Sequence, residues 1–135
     1  MGHGSAQCVY YRAPDGSEPV CDFIDRLDER KQPTIDVQID RLNDRPPSSP
    51  PSPLPHSSQV RGQLRELRCH YGAELYRVLY RRSGNLVVLL HMLRKDKAAI
   101  PQADIAIAEQ RWDDFKRRMD APKRRPPRAA GHDAP

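Results

Sequence analysis

The stretch Gln63–Lys97, QLRELRCHYGAELYRVLYRRSGNLVVLLHMLRKDK, decides the fold. It reads as three successive β-strands, because apolar and polar residues alternate with a period of two. In the first strand Leu67, Cys69 and Tyr71 share one face, and Glu66, Arg68 and His70 the other. In the second, Tyr76, Val78 and Tyr80 alternate with Arg77, Leu79 and Arg81. Ser83-Gly84-Asn85 supplies a tight turn. Leu86 to Leu90 is apolar on both faces, as expected of a central strand covered on both sides. The alternation puts Arg68 and Arg77 on a common face and leaves Arg94 and Lys95 where the central strand ends.

Charge marks the same stretch. Residues 61–97 carry 9 basic and 3 acidic groups, while residues 1–60 carry 6 and 9, and residues 98–115 carry 1 and 4. The tail, 116–135, carries 7 basic and 2 acidic groups. The positive pole of the folded part therefore lies in the strands, and a localised positive field attracts a polyanion. A solvated strand face is the bland alternative.

Upstream, Gln7–Arg12 is a short β-prone run ended by the turn signal Ala-Pro-Asp-Gly. A first helix is expected from Pro19, with Val20, Phe23, Ile24 and Leu27 on its buried stripe. A second begins at Pro33, with Ile35, Ile39 and Leu42 inward. The acidic and basic residues between these positions read as solvated helix surface. Arg45–Ser58 holds six prolines and reads as an extended, irregular loop. Downstream, Ile100-Pro101 opens a third helix whose stripe runs through Ile105, Ala108, Trp112, Phe115 and Met119, with Trp112 as the anchor on the sheet. The expected organisation is a flexible N-terminus over residues 1–7, one domain over 8–119 with a Pro-rich loop at 46–58, and a disordered basic tail over 120–135. The fold class is α+β: a small antiparallel sheet in the order strand, two helices, three strands, C-terminal helix.

The remaining composition narrows the chemistry. Cys8, Cys21 and Cys69 form an odd set without a CxxC pair, so they read as reduced thiols of a cytoplasmic protein. No apolar run has the length to span a bilayer. Glycine-rich phosphate loops, HExxH and GxSxG are lacking, and the five histidines are scattered. No metal and no cofactor is expected. Metal-free cleavage of RNA asks for less: a base for the ribose 2′-hydroxyl, cations for the phosphate and an acid for the leaving oxygen. Arginine forks suit phosphate, and histidine or a depressed lysine moves protons. Glu66, Arg68, His70, Arg77, His91 and Lys95 form the pool.

The order of elements resembles the RelE/HigB superfamily of toxin–antitoxin ribonucleases, and in particular its phage-derived HigB-like branch. Three runs carry the resemblance: Glu66-Leu67-Arg68, Tyr76-Arg77-Val78-Leu79-Tyr80, and Val87 to Lys95. Ile100-Pro101 followed by Ile105-Ala106 and Arg111 fits the same branch. The resemblance covers about Val9 to Met119. It implies a toxin of a type II toxin–antitoxin system that cleaves ribosome-bound mRNA, inhibits translation, and is held by a cognate antitoxin, expected to be a helix-turn-helix protein. It places Arg77 at the phosphate, Arg68 near the attacking 2′-hydroxyl, and Lys95 with Arg94 near the leaving group. His91 is the candidate proton carrier. Arg65, Arg81, Arg82, Arg94 and Lys97 are the candidate RNA-binding cations. The catalytic tyrosine of some relatives has no counterpart after Lys97. Two other functions remain open on the same fold: a noncatalytic module that binds nucleic acid or protein, and a phage accessory protein whose Pro-rich loop and tail recruit a partner.

Overall fold

A computed structural model describes residues 7–43, 57–94, 99–120 and 128–129. The first strand, β1 (Gln7–Tyr10), is followed by helices α1 (Pro19–Asp25) and α2 (Gln32–Asn43). Strands β2 (Ser57–Arg61), β3 (Leu64–Tyr71), β4 (Glu74–Ser83) and β5 (Leu86–Arg94) then run as a meander. Helix α3 (Gln102–Met119) and a two-residue strand, β6 (Arg128–Ala129), close the chain. The sheet order is β2-β3-β4-β5-β1-β6. The α+β class, the three helices and the three strands read from Gln63–Lys97 are all present.

Three features differ from the expectation. The sheet is mixed, because β1 lies parallel to β5, with Gln7 opposite Leu86 and Tyr10 opposite Leu89. The sheet also begins earlier than Gln63: β2 takes in Ser57 and Ser58, which the proline count had assigned to the loop, and pairs antiparallel with β3. Within the tail expected to be disordered, Arg128 and Ala129 pair with β1. Residues 1–6, the loop from 46 to 56, and 121–127 and 130–135 of the tail lie outside the described residues.

The two-residue turns Gly72-Ala73 and Gly84-Asn85 join the hairpin strands, and each has its glycine at φ near +60° in the first turn position, where a side chain is strained. The sheet is covered on both faces. On one, α1 and α2 bring Val20, Ile24, Ile35, Ile39 and Leu42 against Leu67, Val78, Val87 and Leu89. On the other, α3 lays Ile105, Ala108, Trp112 and Phe115 against Leu79, Val88 and Leu90. Val87 through Leu90 are fully buried, which is why that run carries no polar residue on either face. Polar ties set the helix positions. The buried Asn43 side chain accepts from the Cys8 N–H at 2.6 Å, and Gln38 both accepts from the His70 N–H and donates to its carbonyl.

Candidate functional site

Strands β3 and β4 bring two arginines together. Arg68 is the direct cross-strand partner of Arg77, and both lie on the α3 side of the sheet, as period-two alternation requires. Glu66, two positions before Arg68 on the same face, is 4 % exposed and sits between them: its carboxylate lies 2.8 Å from Arg68 Nε and 3.9 Å from Arg77 Nε. Arg77 is itself 7 % exposed. An arginine is kept at that depth only beside a carboxylate, and Glu66 supplies it.

These three residues line a cleft of about 340 Å³ between the sheet and the start of α3. From β2 come Ser58, Gln59 and Val60; from the α3 side come Ile100, Gln102 and Ile105. Arg61, at the end of β2, reaches over to α3, where it donates to the side-chain oxygen of Gln102 and pairs with Glu109 at 3.1 Å. The cleft thus has a charged part from β3 and β4, bordered by the polar Ser58 and Gln59, and apolar groups at Val60, Ile100 and Ile105. Two guanidiniums and one carboxylate leave it a net positive charge, and Arg68 also donates to the Ser58 hydroxyl at 3.4 Å.

His91 occupies a different place. Between β4 and β5 the register slips: Leu79 faces His91 and Tyr80 faces Leu89, so Leu90 is an extra residue on β5. Regular alternation would send Leu90 and His91 to opposite faces. The bulge instead turns both toward α3. There His91 Nε2 meets Asp104 at 2.7 Å and Nδ1 meets Arg111 Nη1 at 3.1 Å, while Arg111 Nη1 also donates to the Leu90 carbonyl at 2.9 Å. Arginine only donates, so Nδ1 must accept, and the ring proton sits on Nε2 facing Asp104. Burial lowers the Arg111 pKa below its usual value, with Tyr11 opposing. His91 ties β5 to α3 and is not among the residues that line the cleft.

The other cations part company. Arg65 shares the face of Leu67, away from the cleft, and pairs in register with Tyr80. Arg82 lies near Cys8 on that same far face. Arg94, opposite Tyr76, has its guanidinium 5.9 Å from the Tyr76 ring on the α1–α2 side, where Lys31 and Glu74 pair at 2.7 Å. Arg81 is on the cleft's face but stacks 4.4 Å over Trp112, farther along the strand. The candidate RNA-binding cations are therefore divided between two faces of the sheet, and among the described basic residues only Arg68 and Arg77 line the cleft. Lys95 and Lys97 lie outside the described residues. Glu66 was legible as a charge on the Arg68 face; its burial between the two arginines was not. Gln102 and Arg61 carried no signal in the sequence.

These features define a small α+β protein with a guanidinium-lined cleft at the edge of a mixed sheet. The phage-derived Gp49-like family (DUF891) matches residues 22–113, which includes α2 and every strand from β2 to β5. The chain belongs to that family, which is a RelE/HigB-like toxin family. Among curated proteins no match is found.

Proposed function

We propose that the protein is the toxin of a type II toxin–antitoxin system, of HigB-like kind, and that it cleaves mRNA at the cleft. One observation carries the reading: a register-paired Arg68 and Arg77 share a cleft with the buried carboxylate of Glu66. In this reading Arg77 and Arg68 clamp the scissile phosphate, and Glu66 takes the proton of the 2′-hydroxyl. The 2′-oxygen bonds to phosphorus, the bond to the 5′-oxygen breaks, and the products are a 2′,3′-cyclic phosphate and a 5′-hydroxyl. Lys95, placed near the leaving group by the resemblance, protonates the 5′-oxygen. The substrate is mRNA on the ribosome, the inhibitor a helix-turn-helix antitoxin, and the compartment the cytoplasm. The noncatalytic reading is favoured by the same ion pairs: if Glu66 holds both guanidiniums in every state, the cluster only binds or only stabilises.

Induced expression followed by primer extension on cellular mRNA separates the two. The expected result is growth arrest with discrete new 5′ ends, both lost in Arg77→Ala and Arg68→Ala. Each substitution is expected to remove on the order of 2–4 kcal/mol of transition-state stabilisation. Cleavage that persists in both variants overturns the assignment, and binding of RNA without new ends leaves the noncatalytic module.

A further inference from the structure

We propose that the cleft seats one nucleotide, with its base held between Val60 and the Ile100–Ile105 wall and read at its edge by Gln102. The inference rests on the reading above, in which Arg68 and Arg77 meet the phosphate. It names what lies next to that phosphate.

Three observations carry it. First, the cleft joins charged groups to apolar ones, with the polar Ser58 and Gln59 of β2 beside them. The charged side chains come from β3 and β4, whereas Val60 comes from β2, and Ile100 and Ile105 from the opposite wall. An ion alone needs no such apolar walls. A phosphate joined through a sugar to a flat, largely apolar ring fits both parts. Second, the volume of about 340 Å³ stands at the small end of ligand pockets, roughly 300–1,000 Å³, which suits a single nucleotide and not a stacked run. Third, the polar group at the apolar end is fixed in orientation. Arg61 only donates, so the Gln102 side-chain oxygen faces Arg61, and the Gln102 amide N–H groups are the ones left for a ligand. Glu109 holds Arg61 from its other side at 3.1 Å. A buried apolar contact plus one oriented donor is how a pocket distinguishes a base from a bare sugar phosphate.

Arg61 also limits the site. It lies opposite Leu64 in register, four residues along β3 from Arg68, or about 13 Å at the usual strand rise. Its guanidinium is engaged by Gln102 and Glu109 and is not among the groups that line the cleft, so Arg61 orients Gln102 instead of joining the Arg68–Arg77 clamp.

The test is titration calorimetry of the full chain with inorganic phosphate, ribose 5-phosphate and the four nucleoside 3′-phosphates. Nucleotides are expected to bind roughly tenfold tighter than ribose 5-phosphate, or about 1.4 kcal/mol. Val60→Ser should erase that ratio, and Gln102→Ala should narrow the spread among the four bases. Arg77→Gln should weaken ribose phosphate and nucleotides alike. Equal affinity for ribose phosphate and nucleotides, with the Arg77 dependence intact, overturns the base subsite and leaves the phosphate reading standing. Loss of the Arg77 dependence for every ligand overturns both.

Discussion

Arg68 and Arg77 face each other across β3 and β4, a like-charge pair that antiparallel sheets ordinarily avoid, and Glu66 is the group that makes the pairing tolerable. The carboxylate is nearer to Arg68 than to Arg77, and Arg77 is the deeper of the two arginines.

Removing Glu66 should therefore expose the cost of the pair. Glu66→Ala leaves a buried Arg77 beside Arg68 with no anion and is expected to destabilise the fold by about 3–5 kcal/mol. Glu66→Gln keeps the shape, loses less stability, and should still lose cleavage because the amide cannot take a proton. Thermal unfolding and cleavage assays on the two variants check both parts. Cleavage by Glu66→Gln at the wild-type rate removes Glu66 from the base role.

His91 should behave as a strut. His91→Leu breaks the contacts to Asp104 and Arg111, and a loss of about 1–3 kcal/mol is expected in denaturant unfolding. Cleavage per folded molecule should be unchanged, since His91 does not line the cleft. A large fall in rate with full stability retained would restore His91 as the proton carrier.

The thiols should be silent in the native protein. Burial, with a smaller push from Asp40, raises the Cys8 pKa far above its usual value, and burial raises Cys69 to about 12. Cys21 is buried as well. An aromatic disulfide reagent at pH 8 should react with none of them before unfolding and with all three after it.

The clasp between Tyr11 and Asp114, at 2.7 Å, sets a pH window. Burial pushes the Asp114 carboxyl up, but hydrogen bonds from Tyr11, Arg117 and Arg118 outweigh it and hold the pKa below 3.8. Burial, and then the bond to Asp114, raise the Tyr11 phenol from 10.0 to about 12. A depressed carboxyl contributes stability that is lost as pH falls through its folded pKa. A raised phenol contributes stability that is present below 10.0 and lost toward 12. The gap in Tm between wild type and Tyr11→Phe should thus be constant from about pH 5 to 9 and shrink on either side.

How far the sequence was legible follows from which signals are local. Alternation placed Leu67 and Arg68 on opposite faces and put Arg68 beside Arg77, because strand side chains obey it without knowledge of the rest. The continuous run Val87–Leu90 announced a strand covered twice. The same rule could not foresee the extra residue Leu90, since a bulge is visible only against its partner strand, and so it gave no face for His91. Alternation was enough to separate Arg65 and Arg82 from Arg77, whereas Arg94 lies beyond the extra residue, and unbroken alternation from Leu90 would have put it on the wrong face. The pairing of β1 with β5 and the crossing of Arg61 to Gln102 join residues far apart in the chain, and no local pattern encodes them.

The parallel seat of β1 has a consequence for how the protein is made. Gln7 leaves the ribosome well before its partner Leu86, which follows 79 positions later. Until β5 emerges, Val9 and Tyr10 have no strand to join and the two halves of the apolar interior stay open. Closure of so long a loop is slow, and the exposed apolar surface invites capture by another chain in the meantime. The nascent polypeptide thus passes through a long interval in which the arginine cleft is not yet backed by a finished sheet.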